Sequence, residues 1–219
     1  MKKVALAAAL FAAHLLFAAQ PAGTQDAAAV VGGIQKKYAS INDLNSPFTQ
    51  ETRIKDLDEK IASSGRVWFK KPGMMKWQYE EPWKDTIVSD GKKVWYFDSR
   101  ENQVTEMELE SVWADSLGSY TVISILEDLD RLFNVRLGAG STDKRGNILL
   151  DLKQKNQKQS KQVTIAVDPK THMLREIIIG DVFGNTTIIE LGATEVNLGI
   201  PDSFFAFKKP KEARMVTFP

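Results

Sequence analysis

Two hydrophobic periodicities divide the chain. From Asp26 to Ile41 apolar residues fall at Val30, Val31, Ile34, Tyr38 and Ile41, the one-sided spacing of an amphipathic helix. Asp26 is placed to cap its first turn, and the run from Asn42 to Pro47 ends it. From Phe48 to about Leu109 the period drops to two. Val67, Phe69 and Lys71 alternate with Arg66, Trp68 and Lys70, and Met75, Trp77 and Tyr79 alternate with Lys76, Gln78 and Glu80. Lys71-Pro72-Gly73 reads as the turn between these two strands, and Asp90-Gly91 as a hairpin joining Thr86–Ser89 to Lys93–Asp98. Gln103–Leu109 reads as one further strand.

Helical spacing returns from Ser119 to Phe133. Val122, Ile125, Leu126, Leu129 and Phe133 form the apolar stripe, and Ser119 stands where a cap is needed. Strands follow at Val135–Leu137, Asn147–Leu152, Gln162–Val167, Leu174–Ile179 and Thr186–Leu191, with a short segment near Glu195. The breaks between them carry turn chemistry: Lys144-Arg145-Gly146, Asp168-Pro169-Lys170-Thr171 and Phe183-Gly184-Asn185. About eleven strands at roughly ten-residue spacing with two helices predict a mainly β fold with α. The form expected is one large curved antiparallel sheet with helices against it. No linker or break in composition divides it, so residues 26–219 are expected to form a single domain.

The first residues fit neither pattern. Lys2 and Lys3 precede an apolar run from Val4 to Ala19, followed by a polar, turn-prone stretch. That is the form of a secretory signal peptide, expected over residues 1–22 with cleavage between 18 and 25. Its removal takes two lysines from the 29 basic residues, so 27 face 28 acidic ones and the net charge becomes −1. With charge so balanced and unclustered, nucleic acid is not an expected partner.

Candidate chemistry is sparse. The 219 residues contain no cysteine, which excludes thiol catalysis, disulfides, cysteine-ligated clusters and lipidation at a cysteine. After His14 leaves with the signal peptide, His172 is the one remaining histidine, and it sits beside a turn. No Gly-x-Ser-x-Gly elbow, phosphate loop or dinucleotide fingerprint occurs. Neither a metal site nor a cofactor is expected. Glu80-Glu81, Asp128/Asp130 and Glu108/Glu110 are the carboxylate pairs that spacing offers, and solvated surface charge accounts for all of them. The aromatic inventory is richer: Trp68, Trp77, Trp83 and Trp95 lie in one stretch with Phe69, Tyr79, Tyr96 and Phe97. A curved sheet lined in this way, with amphipathic helices over it, can enclose a site for apolar ligands. Met75 shares parity with Trp77, which turns Met74 outward as an adaptable contact.

Several blocks together resemble the outer-membrane lipoprotein carrier family of periplasmic chaperones. Phe48-Thr49-Gln50 follows the first helix. The run Gly65-Arg66-Val67-Trp68-Phe69-Lys70-Lys71-Pro72-Gly73-Met74-Met75-Lys76-Trp77-Gln78-Tyr79 is similar to the family's long motif. Pro82 and Ile87 to Asp98 continue it, and Phe205-Ala206-Phe207 with Pro210 and Val216 resembles its closing segment. The resemblance implies an unclosed antiparallel half-barrel with helices as a lid. It also implies a soluble, unlipidated, monomeric periplasmic carrier that is not an enzyme. Such a carrier would accept triacylated lipoproteins from an inner-membrane ABC-type releasing complex and pass them to an outer-membrane lipoprotein receptor.

Carried onto this chain, the resemblance makes Phe48, Val67, Phe69, Trp77, Tyr79, Trp95, Ile165 and Val167 the lipid-binding wall. Val122, Ile125, Leu126 and Leu129 form the lid's contribution. Pro72, Met74 and Met75 make the partner-docking turn. Lys71 stands where the family has a lid-binding arginine, and an ammonium is a point charge rather than a planar fork. A lipid-sensing or envelope-stress regulator of the same fold is the alternative from another class. A hydrolase using Glu108 or Glu110 and a carbohydrate-binding module are further rivals.

Overall fold

The computed structural model describes residues 26–57, 59–109, 122–155 and 162–217. The signal segment with its cleavage window, Ser119 and Glu110 lie outside them. Helix α1 spans Ala27–Ala39, with the Asp26 carboxylate accepting from the Ala28 amide at 3.1 Å as its N-cap. Strands β1 (Asp43–Ile54), β2 (Glu59–Lys70), β3 (Met74–Glu81), β4 (Thr86–Asp90), β5 (Lys93–Asp98) and β6 (Gln103–Glu108) follow. Two short helices, α2 (Val122–Glu127) and α3 (Leu129–Leu132), occupy the predicted second helical segment, broken at Asp128. Then come β7 (Phe133–Thr142), β8 (Ile148–Gln154), β9 (Gln162–Val167), β10 (Leu174–Gly180), β11 (Thr186–Leu191), β12 (Glu195–Val196) and β13 (Arg214–Thr217).

The strands form one thirteen-stranded sheet in the order β13-β6-β5-β4-β3-β2-β1-β11-β10-β9-β8-β7, with β12 pairing β1 off this path. The two outer strands, β7 and β13, do not pair with each other, so the barrel stays open. The sheet exceeds the expected strand number and departs from antiparallel pairing once, where β13 runs parallel to β6. Strand β1 also begins at Asp43, ahead of the expected start at Phe48 and within the segment expected only to end the helix. Pro47 is tolerated inside it because β12 pairs Leu44–Asn45 and β11 pairs from Phe48 onward. Pro47 falls in the gap between them, where its carbonyl accepts from Gly192 and no N–H is required of it.

One face of the sheet carries the main core. Val67, Phe69, Met75, Trp77, Ile165, Val167 and Ile189 are buried beneath α1, α2 and α3, whose Val30, Val31, Ile34, Leu126 and Leu129 point down onto them. The outer face has its own smaller apolar layer. There Trp68 packs on Phe204 and Trp95 stacks on Phe207 at 5.5 Å, while Phe205 and Ala213 are buried. The segment bearing Phe204, Phe205 and Phe207 is tied to the start of β1. The buried Asp43 carboxylate accepts from the amides of Leu198, Gly199 and Ile200 at 2.7, 3.0 and 3.3 Å. Lys70 adds a hydrogen bond to the Ile200 carbonyl and an ion pair to Asp202. No helix among the described residues is long and apolar enough to cross a membrane.

Helix α1 is seated on the sheet by two unusual contacts. The Tyr38 hydroxyl, fully buried, accepts from the Leu174 amide at 3.0 Å, and burial pushes its phenol up to about 12. At Gly33 the imidazole of His172 lies over the helix backbone; an added Cβ would meet Nε2 at 2.3 Å. The turn that presents His172 is held by Asp168. Its carboxylate accepts from the Thr171 and Lys170 amides and from Arg175, which keeps it well below the usual carboxylate range. Gly32, one residue earlier, has open space where its side chain would be.

The neighbouring glycines should therefore respond oppositely. Gly32→Ala gains helix propensity at no steric cost, about 0.5–1 kcal/mol, or a rise of about 1–4 °C in thermal denaturation. Gly33→Ala should lower the melting temperature, and adding His172→Ala should recover most of the loss. Tyr38→Phe leaves the Leu174 amide unpaired and should cost about 1–3 kcal/mol. The Tyr38 phenol is raised from its ordinary 10.0 to about 12. Its share of stability is complete below the unfolded value and is lost as pH rises through the folded one. Denaturant titrations between pH 10 and pH 12 should show that fall in the natural protein and a smaller one in Tyr38→Phe.

Candidate functional site

The candidate site is the contact between the inner face and its lid. Alternation on β2 and β3 sends Val67, Phe69, Met75, Trp77 and Tyr79 inward, with Phe48 from β1 among them. The aromatic rings meet edge to face: Phe48 to Trp77 at 4.8 Å, Phe48 to Tyr79 at 5.1 Å and Phe69 to Trp77 at 5.9 Å. Ile165 and Val167 on β9 extend this surface, and Leu126 and Leu129 cover it from above, with Ile125 packed at the margin. Val122 belongs to α2, and its side chain lies outside the described part. Lid and floor pack directly together: Ile34 and Leu129 of the lid and Val67 and Met75 of the floor are fully buried.

Polar groups gather at the edges of this apolar contact. At one edge the Lys71 ammonium donates to the carbonyls of Tyr38 and Ala39, at 2.8 and 3.3 Å, and pairs with Glu127 at 2.5 Å. One side chain on the β2–β3 turn therefore holds the carboxyl end of α1 and the end of α2 together, where a cation also complements the α1 dipole. Gln35 of α1 adds a second tie to the same lid segment, donating to the Glu127 carbonyl and to Asp130 at 3.1 and 2.7 Å. Lys155 donates to the Asp130 carbonyl at 2.6 Å. Within the floor, the Tyr79 hydroxyl donates to Gln50 at 3.1 Å, and Gln50 continues to Thr52 at 3.4 Å. The Trp77 indole nitrogen is buried and has no hydrogen-bond partner among the described residues.

Two expected positions are corrected. Trp95 is not on the inner wall. Its neighbour Val94 takes the inward position, and Trp95 faces the outer layer, stacking on Phe207 and donating to Glu106 at 2.8 Å. Met75 is fully buried in the core and unavailable for docking, because it shares the inward parity of Trp77. Pro72 is exposed and Met74 half-buried, so both stay accessible on the turn. Sequence reasoning does not reach the ties made by Gln35 and Tyr38, whose partners lie far along the chain, and no local signal marks them. Among the described residues the candidate carboxylates do not converge: Glu80 and Glu81 are exposed, Asp128 pairs with Arg131, and Glu108 lies beside Lys93, its candidate partner Glu110 being outside the described residues. Among the described residues no group of three or more His, Asp or Glu is placed to hold a metal ion.

The family model for "Outer membrane lipoprotein carrier protein LolA" matches residues 39–208. An outer-membrane lipoprotein carrier protein from Cupriavidus pinatubonensis is 29% identical over 211 residues, covering 94% of this chain and 92% of its own. Its counterpart from Nitrosomonas europaea is 30% identical over 168 residues, covering 75% and 77%. The crystal structure of an uncharacterized conserved protein from Thermus thermophilus shares the fold. It superposes with a TM-score of 0.55 at 13% identity, over 89% of this chain and all of that one. The match extends from the end of α1, through the Lys71 turn and the aromatic floor, to the segment that closes the outer face. The chain belongs to the outer membrane lipoprotein carrier family, a family of carriers rather than enzymes.

Proposed function

We propose that this protein is a periplasmic carrier that binds the acyl chains of lipoproteins under its lid and hands them on without chemistry. The observation that carries the reading is the inner face itself. Phe48, Val67, Phe69, Trp77, Ile165 and Val167 make a continuous apolar floor, covered by separate helices tied down by polar contacts at their margins. An acyl chain gains about 0.8 kcal/mol for each CH2 it buries, so it competes effectively with the lid for this floor. Displacing the lid costs its apolar contacts and the Lys71 and Gln35 hydrogen bonds. That cost keeps loading reversible and lets cargo pass to a better binder. The cargo is triacylated lipoprotein released by an inner-membrane ABC-type complex, and the acceptor is an outer-membrane lipoprotein receptor. Pro72 and Met74, accessible beside the latch, form the turn on which those partners dock.

The decisive assay uses spheroplasts or inner-membrane vesicles holding a triacylated lipoprotein, with ATP and the purified mature protein. Lipoprotein should appear in the soluble fraction bound to the protein, and an unacylated version should not form the complex. Absence of release, with membranes active toward another carrier, would leave the fold and remove the function, in favour of a lipid-sensing role.

Two substitutions report on the mechanism. Phe69→Glu places a charge on the floor and should abolish binding of a fluorescent fatty-acyl probe while the circular dichroism of the sheet is retained. Lys71→Ala releases α1 and α2 from their shared anchor and destabilises the closed, empty form by about 1 kcal/mol after allowance for solvent screening. Because the lid competes with cargo, the apparent affinity for the probe should rise about fivefold and its release should slow. Lys71→Arg, which keeps the charge and the donors, should restore release. Unchanged affinity in Lys71→Ala would show that the latch does not oppose loading.

A further inference from the structure

The inner floor is not uniformly apolar. Trp77, 1% exposed, carries an indole N–H with no acceptor among the described residues. A buried donor without a partner is costly and uncommon in folded proteins. It does not sit at a surface or in a turn, but in the middle of the contact between sheet and lid, flanked by Phe48 and Phe69. Two residues further along β3 and on the same face, the Tyr79 hydroxyl donates to Gln50 Oε1 at 3.1 Å. Gln50 Nε2 reaches Thr52 Oγ1 at 3.4 Å, and Thr52 Oγ1 reaches Thr187 Oγ1 at 3.4 Å. These side chains come from three strands, β3, β1 and β11, and converge on one half-buried line beside the Phe48 ring. The last two contacts are at the long limit of hydrogen bonding, so an incoming acceptor displaces them at little cost.

A hydrocarbon chain alone would leave the Trp77 N–H as it is in the closed form. A carbonyl oxygen would satisfy it. We propose that Trp77, together with the Gln50–Thr52–Thr187 line, is a carbonyl-recognising subsite in the floor. Through it the protein prefers acyl groups held in ester or amide linkage over plain alkyl chains of equal length. The inference rests on the acyl-binding reading above and adds what that reading lacks, a reason for selectivity among apolar chains. Sites that present buried hydrogen-bonding groups discriminate against ligands that leave those groups unpaired. Among the described residues the Trp77 donor has no partner in the closed form, so gaining one on loading also biases the protein toward the open form.

The test compares a monoacylglycerol with the alkyl glycerol ether of the same chain length, which differ at the carbonyl. Binding of each is titrated against the natural protein and against Gln50→Leu. In parallel, the indole N–H resonances of the five tryptophans are followed by NMR, with Trp77 assigned from its loss in Trp77→Phe. The ester should bind about fivefold tighter than the ether, the size expected of one net hydrogen bond. The Trp77 resonance should move downfield with the ester and much less with the ether. Gln50→Leu should narrow the affinity ratio while leaving ether binding equal or tighter. Equal affinities with an unmoved Trp77 resonance would overturn the subsite and leave the carrier reading intact. Failure of both ligands to bind would overturn the two together. The Gln50→Leu ratio keeps the question decidable if Trp77→Phe does not fold.

Discussion

An open curled sheet with an apolar inner face cannot leave that face to water, and everything else in this molecule follows from how it is covered. A closed barrel satisfies its interior by its own curvature. Here β7 and β13 remain unpaired with each other, and the cover is made of separate helices. Those helices bury Ile34, Tyr38, Leu126 and Leu129 against the floor; apart from the buried Tyr38 hydroxyl on the Leu174 amide, the polar ties described lie at the margins, in Lys71, Gln35 and Lys155. The apolar attraction is non-directional and transfers to any chain of sufficient length. The marginal hydrogen bonds are directional and specific to the closed state. Closure is therefore controlled by few groups, while the bulk of its energy is interchangeable with that of a ligand.

Much of this is legible in the alternation of side chains. Period two along Val67–Lys71 and Met75–Tyr79 places the correct residues inward, because the core lies under those strands and each step of the pleat reverses the side chain. The same logic fails at Trp95. Both faces of β4, β5 and β6 carry apolar residues, since the outer face is also covered, by the segment containing Phe205 and Phe207. Where two faces are apolar, alternation defines the faces without saying which is inside. Strand β1 reads as starting after Pro47 for a related reason. A proline usually ends a strand, and its acceptance here depends on a gap between β11 and β12 on the far side of the sequence. The lid's ties join residues about ninety positions apart, as in Gln35 with Glu127 and Asp130, and no local pattern encodes them.

The helical cover also shows where local preference yields to fit. Gly33 weakens α1 but admits the His172 ring against its backbone, and Tyr38 carries a buried hydroxyl for the sake of one amide of β10. Both fix the position of the helix more sharply than apolar packing would. Gly32 has no such neighbour, so its cost to the helix is uncompensated by any contact.

The buried Asp43 carboxylate, with the Leu198, Gly199 and Ile200 amides around it, belongs to the opposite side of the sheet from the lid. It secures the segment that packs Phe204 on Trp68 and Phe207 on Trp95. The scaffold is therefore held by an outer skin on the face of the sheet away from the lid. Shape and contents are separately encoded: the inner surface is free to be retuned toward other hydrophobic loads without rebuilding the vessel that holds them.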